Sequence, residues 1–116
     1  MADESAAARL AAWLADVCPG WPPRPYPGKA LVYRVFADDG TLLYIGSTID
    51  LDTRFQRHST HSEWFPEARR ITIEWMPALS AARAAETAAI AVERPKYNRA
   101  GTSRDGRLRV NRTARA

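Results

Sequence analysis

LVYRVFADDGTLLYIGST, residues 31–48, reads as two strands around a turn. Branched and aromatic residues fill 31–37, and the Asp-Gly pair at 39–40 signals a tight hairpin. With Asp39-Gly40 as a two-residue turn, Asp38 lies opposite Thr41, Val35 opposite Tyr44, and Tyr33 opposite Gly46. On that register Tyr33 and Tyr44 share one face of the hairpin as diagonal neighbours, and a one-residue slip would separate them. The return strand then runs into Gly46, Ser47 and Thr48, where a buried strand has no need of them. Ordinary core packing, a nucleotide-binding turn and one piece of a catalytic surface are the three readings of that junction.

The flanking sequence supplies a small α/β frame. Residues 50–61, DLDTRFQRHSTH, form a helix with Asp50 as N-cap and with Leu51 and Phe55 on its buried side. Arg54, His58 and His61, at i, i+4 and i+7, line one flank. RITIEWM alternates Ile71, Ile73 and Trp75 as a third strand closed by Pro77, and a second helix covers 80–92 with Ser80 as its cap. PKYNRAG leaves that helix as a loop. Strand, strand, helix, strand, helix gives a small sheet with helices packed on it. Ahead of it, residues 4–17 predict an amphipathic helix, joined through a stiff segment, 19–29, that holds five of the eight prolines. The expected divisions are 1–18, 19–29, a domain at 30–101 and a basic tail at 102–116.

A chain of 116 residues holds one domain of this kind, and a hydrophobic fraction of 46% is enough for a core. The net charge of +4 is modest but uneven: from Arg94 onward there are eight Lys or Arg residues against Asp105 alone. Arg99, Arg104, Arg107 and Arg109, with Lys96, suit a polyanion, and such contacts position a backbone without reading bases. A solvated tail is the plainer use of the same charge. Arg57, Arg69 and Arg70 are either a solvated face or duplex contacts. Trp64-Phe65 is expected to pack beneath the first domain helix. Cys18 is the single cysteine, so there is no intrachain disulfide and no cysteine zinc site. With no secretory segment and no 18-residue apolar run, a reducing cytoplasm and no membrane are expected.

Glu86 is the residue that composition does not explain. It lies four after Ala82, four before Ile90 and seven after Leu79, toward the apolar side of an alanine-rich helix. A carboxylate there is costly unless paired, hydrogen-bonded or metal-bound. Pairing with Arg83 or Arg54 is the structural use. A lone carboxylate otherwise suits Mg²⁺, which keeps waters and takes further oxygens from a phosphate. A metal, an arginine, a histidine and two tyrosines beside a basic tail suggest phosphodiester hydrolysis. No glycine-rich run ends in Lys-Ser or Lys-Thr, which removes the ATP-site reading, and His58, His61 and Glu63 do not have zinc-ligand spacing.

At these residues the chain resembles the GIY-YIG endonucleases, as a single-domain, standalone member. Leu31-Val32-Tyr33 matches the first signature strand with its tyrosine kept and its glycine and isoleucine replaced, and Tyr44-Ile45-Gly46 matches the second intact. GSTIDLDTRFQRH looks like the following run of Gly, small hydroxyl residue, Asp-Leu, then Arg and His four apart. Glu86 falls at the metal-binding glutamate of the later helix, and Pro95-Lys96-Tyr97-Asn98 looks like the closing motif. The similarity spans about 30–101.

The resemblance implies an α+β fold, a three-stranded antiparallel sheet flanked by helices, and a metal-dependent DNA endonuclease leaving 5′-phosphate and 3′-hydroxyl ends. Mg²⁺ or Mn²⁺ would sit on Glu86, with no organic cofactor. Tyr33 is the expected general base or relay, Tyr44 positions phosphate or water, and Arg54 holds the scissile phosphate. His58 would hydrogen-bond to Tyr33 or to the phosphate, or be the base itself, since a residue at this place acts as the base in some members, and Asn98 supports the site. Gly46 is read as leaving room for a phosphate opposite Tyr33. One site cuts one strand, and the chain is expected as a monomer or weak dimer. A non-catalytic nucleic-acid-binding module is the alternative, with RNA also compatible, and residues 4–17 could hold a protein partner.

Overall fold

The computed structural model describes residues 2–98, with side chains from residue 6 onward. Arg99, Arg104, Arg107 and Arg109 lie outside the described residues. The order is α1 (Ala2–Val17), β1 (Ala30–Phe36), β2 (Leu42–Thr48), α2 (Leu51–His61), a 3-10 turn (Phe65–Glu67), β3 (Arg70–Met76) and α3 (Leu79–Glu93). The strands form one antiparallel sheet in the order β2-β1-β3. This is the expected α+β fold.

Central β1 is covered on both faces, which explains its unbroken apolar run ALV. On one face Leu31, Tyr33 and Val35 join Leu14, Val17, Leu51, Phe55 and Trp64 in the main core. On the other, Ala30, Val32 and Ile45 pack against Ala82 of α3. Small side chains on α3 let it approach the sheet closely. Arg34 ties that helix down: its Nε and Nη2 donate to the Glu93 carboxylate at 2.9 and 2.7 Å. The hydrogen-bonded guanidinium holds the Glu93 carboxyl below its ordinary value.

The hairpin corrects one expectation and keeps another. The loop has three residues, Asp38, Asp39 and Gly40, because Ala37 N–H donates to Thr41 C=O at 2.9 Å and Gly40 takes φ +89°. A bulge then inserts one extra residue in β2, so Val35 still faces Tyr44 and Tyr33 still faces Gly46. Asp50 caps α2 as expected, its carboxylate accepting from Thr53 N–H. Ser80 does not cap α3. The chain leaves Pro77 extended and the helix starts one residue earlier, after Ala78.

α1 packs back on the domain: Leu14, Val17 and Cys18 are in the main core, and Trp13 contacts Phe65 with ring centroids 4.9 Å apart. Trp64 is fully buried, as expected for a residue packed under α2. Burial pushes the Cys18 thiol up to about 11. It is therefore protonated at neutral pH, and only a thiolate is a good nucleophile. Alkylation of the native protein at pH 7.5 is expected to be far slower than in urea; equal rates would contradict this packing.

The edge of β2 is closed by the segment after α3. Lys96 N–H donates to Leu42 C=O at 3.0 Å and Tyr97 N–H to Leu43 C=O at 2.9 Å. Next, the Asn98 amide imitates a strand peptide: Oδ1 accepts from Ile45 N–H at 2.7 Å and Nδ2 donates to Ile45 C=O at 3.0 Å. An open edge is thereby covered.

Candidate active site

Strand alternation sends Gly46 and Ser47 to opposite faces of the sheet, and the candidate residues divide accordingly. On the α2 face, the Tyr33 hydroxyl lies 2.7 Å from His58 Nε2. The other ring nitrogen, Nδ1, lies 2.5 Å from the Ser62 hydroxyl. Tyr44 stands beside this pair, its ring 6.1 Å from Tyr33 and 5.3 Å from His58, and it stacks on Trp64 at 5.0 Å. Tyr33 and Tyr44 are each 1% exposed and His58 is fully buried. The indole Nε1 of Trp64 is buried with no hydrogen-bond partner among the described residues, which costs roughly 1–3 kcal/mol.

Gly46 serves that cluster in a way the sequence reading did not anticipate. A Cβ there would lie 2.9 Å from Tyr33 Cε1 and nearer still to the phenol oxygen. The room that the absent Cβ leaves is taken by the phenol ring itself.

On the α3 face, Glu86 is 3% exposed and its carboxylate accepts from the Ser47 hydroxyl at 2.5 Å. Among the described residues no cluster of three or more His, Cys, Asp or Glu could hold a metal ion. The donors here are a carboxylate and a hydroxyl, hard oxygens that fit Mg²⁺ or Mn²⁺ completed by water and a phosphate, and do not fit zinc.

Between the faces, at the start of α2, a cleft of about 400 Å³ is lined by Thr48, Ile49, Asp50, Thr53, Arg54 and Arg57. Arg54 is half-buried in it and Arg57 is exposed. The Thr48 hydroxyl holds the rim, donating to Asp50 C=O at 3.2 Å and accepting from Asp50 N–H at 3.0 Å. Lys96 lies elsewhere, exposed and ion-paired with Glu67 at 3.2 Å. His61, expected on the flank of His58, is exposed, with Nδ1 2.8 Å from the Thr60 hydroxyl.

Tyr33, Tyr44 and His58 are thus brought together, Glu86 is held with Ser47, and Arg54 sits at the shared end of β2. The hydrogen bonds of the Asn98 side chain go to backbone: it fixes Ile45, between Tyr44 and Gly46. Asn98→Ala is expected to cost roughly 1–3 kcal/mol, since it strands a part-buried N–H and C=O together. Urea unfolding reads this, and a midpoint unchanged from wild type would contradict it. Two polar partners escaped the sequence reading, Ser47 as the Glu86 donor and Ser62. Ser62 follows His58 by four residues, which is the signal that could have found it.

The family model described as the GIY-YIG catalytic domain matches residues 29–98. That match defines a nuclease-type catalytic domain carried on the α+β frame described above. The chain belongs to the GIY-YIG family. No curated protein and no solved structure gave a match to it.

Proposed function

We propose that the protein is a divalent-metal-dependent DNA endonuclease that cuts one strand per active site and leaves 5′-phosphate and 3′-hydroxyl ends. The observation that carries this reading is the 2.7 Å hydrogen bond between Tyr33 and His58, on a scaffold of the nuclease family. Arg54, with Arg57 at the rim, grips the scissile phosphate, the geometry for which a guanidinium is suited. Tyr44 orients the attacking water or the phosphate. A proton leaves the water for Tyr33 Oη as the phenol proton passes to His58 Nε2. The water oxygen bonds to phosphorus, the bond to the 3′ oxygen breaks, and that oxygen takes a proton from solvent to become the 3′-hydroxyl. Glu86 and Ser47 would hold the ion. When bound, it supplies positive charge against that developing on the phosphate and the leaving oxygen. Lys96 and the arginines of the tail add phosphate contacts, so affinity falls steeply with salt.

A second reading rests on the burial of Tyr33, Tyr44 and His58, which suits a scaffold that binds nucleic acid without cutting it. Ligase separates the two. A nick made by this protein in Mg²⁺ is expected to be sealed by DNA ligase with no kinase or phosphatase treatment. Unsealable ends, or nicking that persists in EDTA, would overturn the proposed chemistry.

A further inference from the structure

His58 is bonded at both ring nitrogens. Nε2 lies 2.7 Å from the Tyr33 hydroxyl and Nδ1 lies 2.5 Å from Ser62 Oγ. A neutral imidazole carries one N–H and one acceptor nitrogen, so the two bonds are coupled: the state of one sets the other. Ser62 is built into this arrangement. It is the C-cap of α2, and its backbone N–H donates to His58 C=O at 3.0 Å, so one turn fixes residue and ring together.

The chain of three has a preferred direction. A phenol is a far better proton donor than a serine hydroxyl, and an imidazole nitrogen is a far better acceptor than a phenol oxygen. The favourable order has Tyr33 O–H donating to Nε2 and Nδ1–H donating to Ser62 Oγ. The reverse order makes the imidazole N–H, a weaker acid than the phenol, donate to the phenol oxygen, a weaker base than the imidazole nitrogen, and the loss at that link decides the direction. All three residues are buried, and Ser62, at 8%, is the least so.

We infer that Ser62 is a positioning residue of the catalytic pair: it holds the His58 proton on Nδ1, so that Nε2 stays bare to receive the Tyr33 proton, and it forms the outlet for that proton. Its catalytic part rests on the nuclease reading above. In the step, the phenol proton moves to Nε2, the Nδ1 proton moves to Ser62 Oγ, and the serine hydroxyl passes its own proton outward. No charge accumulates on the ring. For metal-bound histidines the loss of such an outer partner typically costs about 10–100-fold, and an effect at the lower end of that range is expected here.

The test begins on the wild type and needs no activity. The chain has two histidines, so nitrogen NMR of histidine-labelled protein carrying His61→Asn leaves one imidazole to read. A proton on Nδ1 is expected; a proton on Nε2 overturns the inference. Ser62→Ala is then expected to raise the Nε2–H population and to lower single-turnover cleavage about tenfold at unchanged DNA affinity. Ser62→Thr, which keeps the hydroxyl, is expected to restore both. Ser62→Ala with unchanged tautomer and rate would overturn the role, as would Ser62→Thr that folds but rescues neither. If the wild type cuts no DNA, the nuclease reading fails by itself, while the tautomer result still decides whether Ser62 sets the ring.

Discussion

Gly46→Ala is expected to lower stability by about 2–3 kcal/mol, in the range of forced overpacking in a tight interior. The added Cβ would stand 2.9 Å from Tyr33 Cε1, and the ring has nowhere to retreat. Phe55 meets its edge with centroids 5.4 Å apart, and His58 holds its hydroxyl. Moving the ring also breaks the Tyr33–His58 bond, leaving a buried donor and acceptor to be satisfied elsewhere. A small gain in strand propensity offsets part of this. For a domain of this size the melting temperature should fall by roughly 8–20 °C. Tyr33→Leu supplies the control. In that background Gly46→Ala should cost much less, and the coupling energy from the double-mutant cycle should exceed about 1 kcal/mol. Additive effects would mean that the glycine does not serve the tyrosine.

Glu86→Ala is expected to reduce Mg²⁺-dependent cleavage on the order of a thousandfold or more, the loss expected when charge stabilisation at a leaving oxygen is withdrawn. DNA affinity should stay within about twofold, because arginines carry it. Stability should not fall with activity. A buried carboxylate is costly to keep out of water, and its removal is offset by the groups that lose their acceptor, the hydroxyl of Ser47 among them. Glu86→Gln keeps the shape and the hydrogen bond from Ser47 and removes the charge, so it should be as inactive as the alanine variant. Cleavage by Glu86→Gln near the wild-type rate would show that no ion is held there.

How much of this could be read from the chain depended on range. The pairing of Tyr33 with Gly46 was legible because strand alternation and the Asp-Gly pair both favour it. The loop length was not, and the register came out right only because a bulge in β2 restored the residue that a longer turn consumed. The Asp50 cap was legible since it is local to its helix. The start of α3 was not, because the exit from Pro77 decides it rather than Ser80. Glu86 stood out as a carboxylate on an apolar face. Its partner Ser47 did not, because nothing local says which face of β2 the later helix will cover. Asn98 is the extreme case: its hydrogen bonds reach Ile45, 53 residues back, and no periodicity encodes that. The resemblance flagged the residue, and the structure gives the physical reason for it. The close approach of the Tyr33 ring to Gly46 was not legible, because a neighbouring side chain rather than the local sequence sets it.

The most direct measurement is relaxation of supercoiled plasmid by the wild-type protein in Mg²⁺, beside an EDTA control and Glu86→Ala. Nicked circles from wild type with Mg²⁺ alone are the predicted result. Supercoiled DNA left intact in Mg²⁺ and in Mn²⁺ would contradict the account, once flap and branched DNAs that the protein demonstrably binds also remain whole. The domain would then be a binding module on a nuclease scaffold.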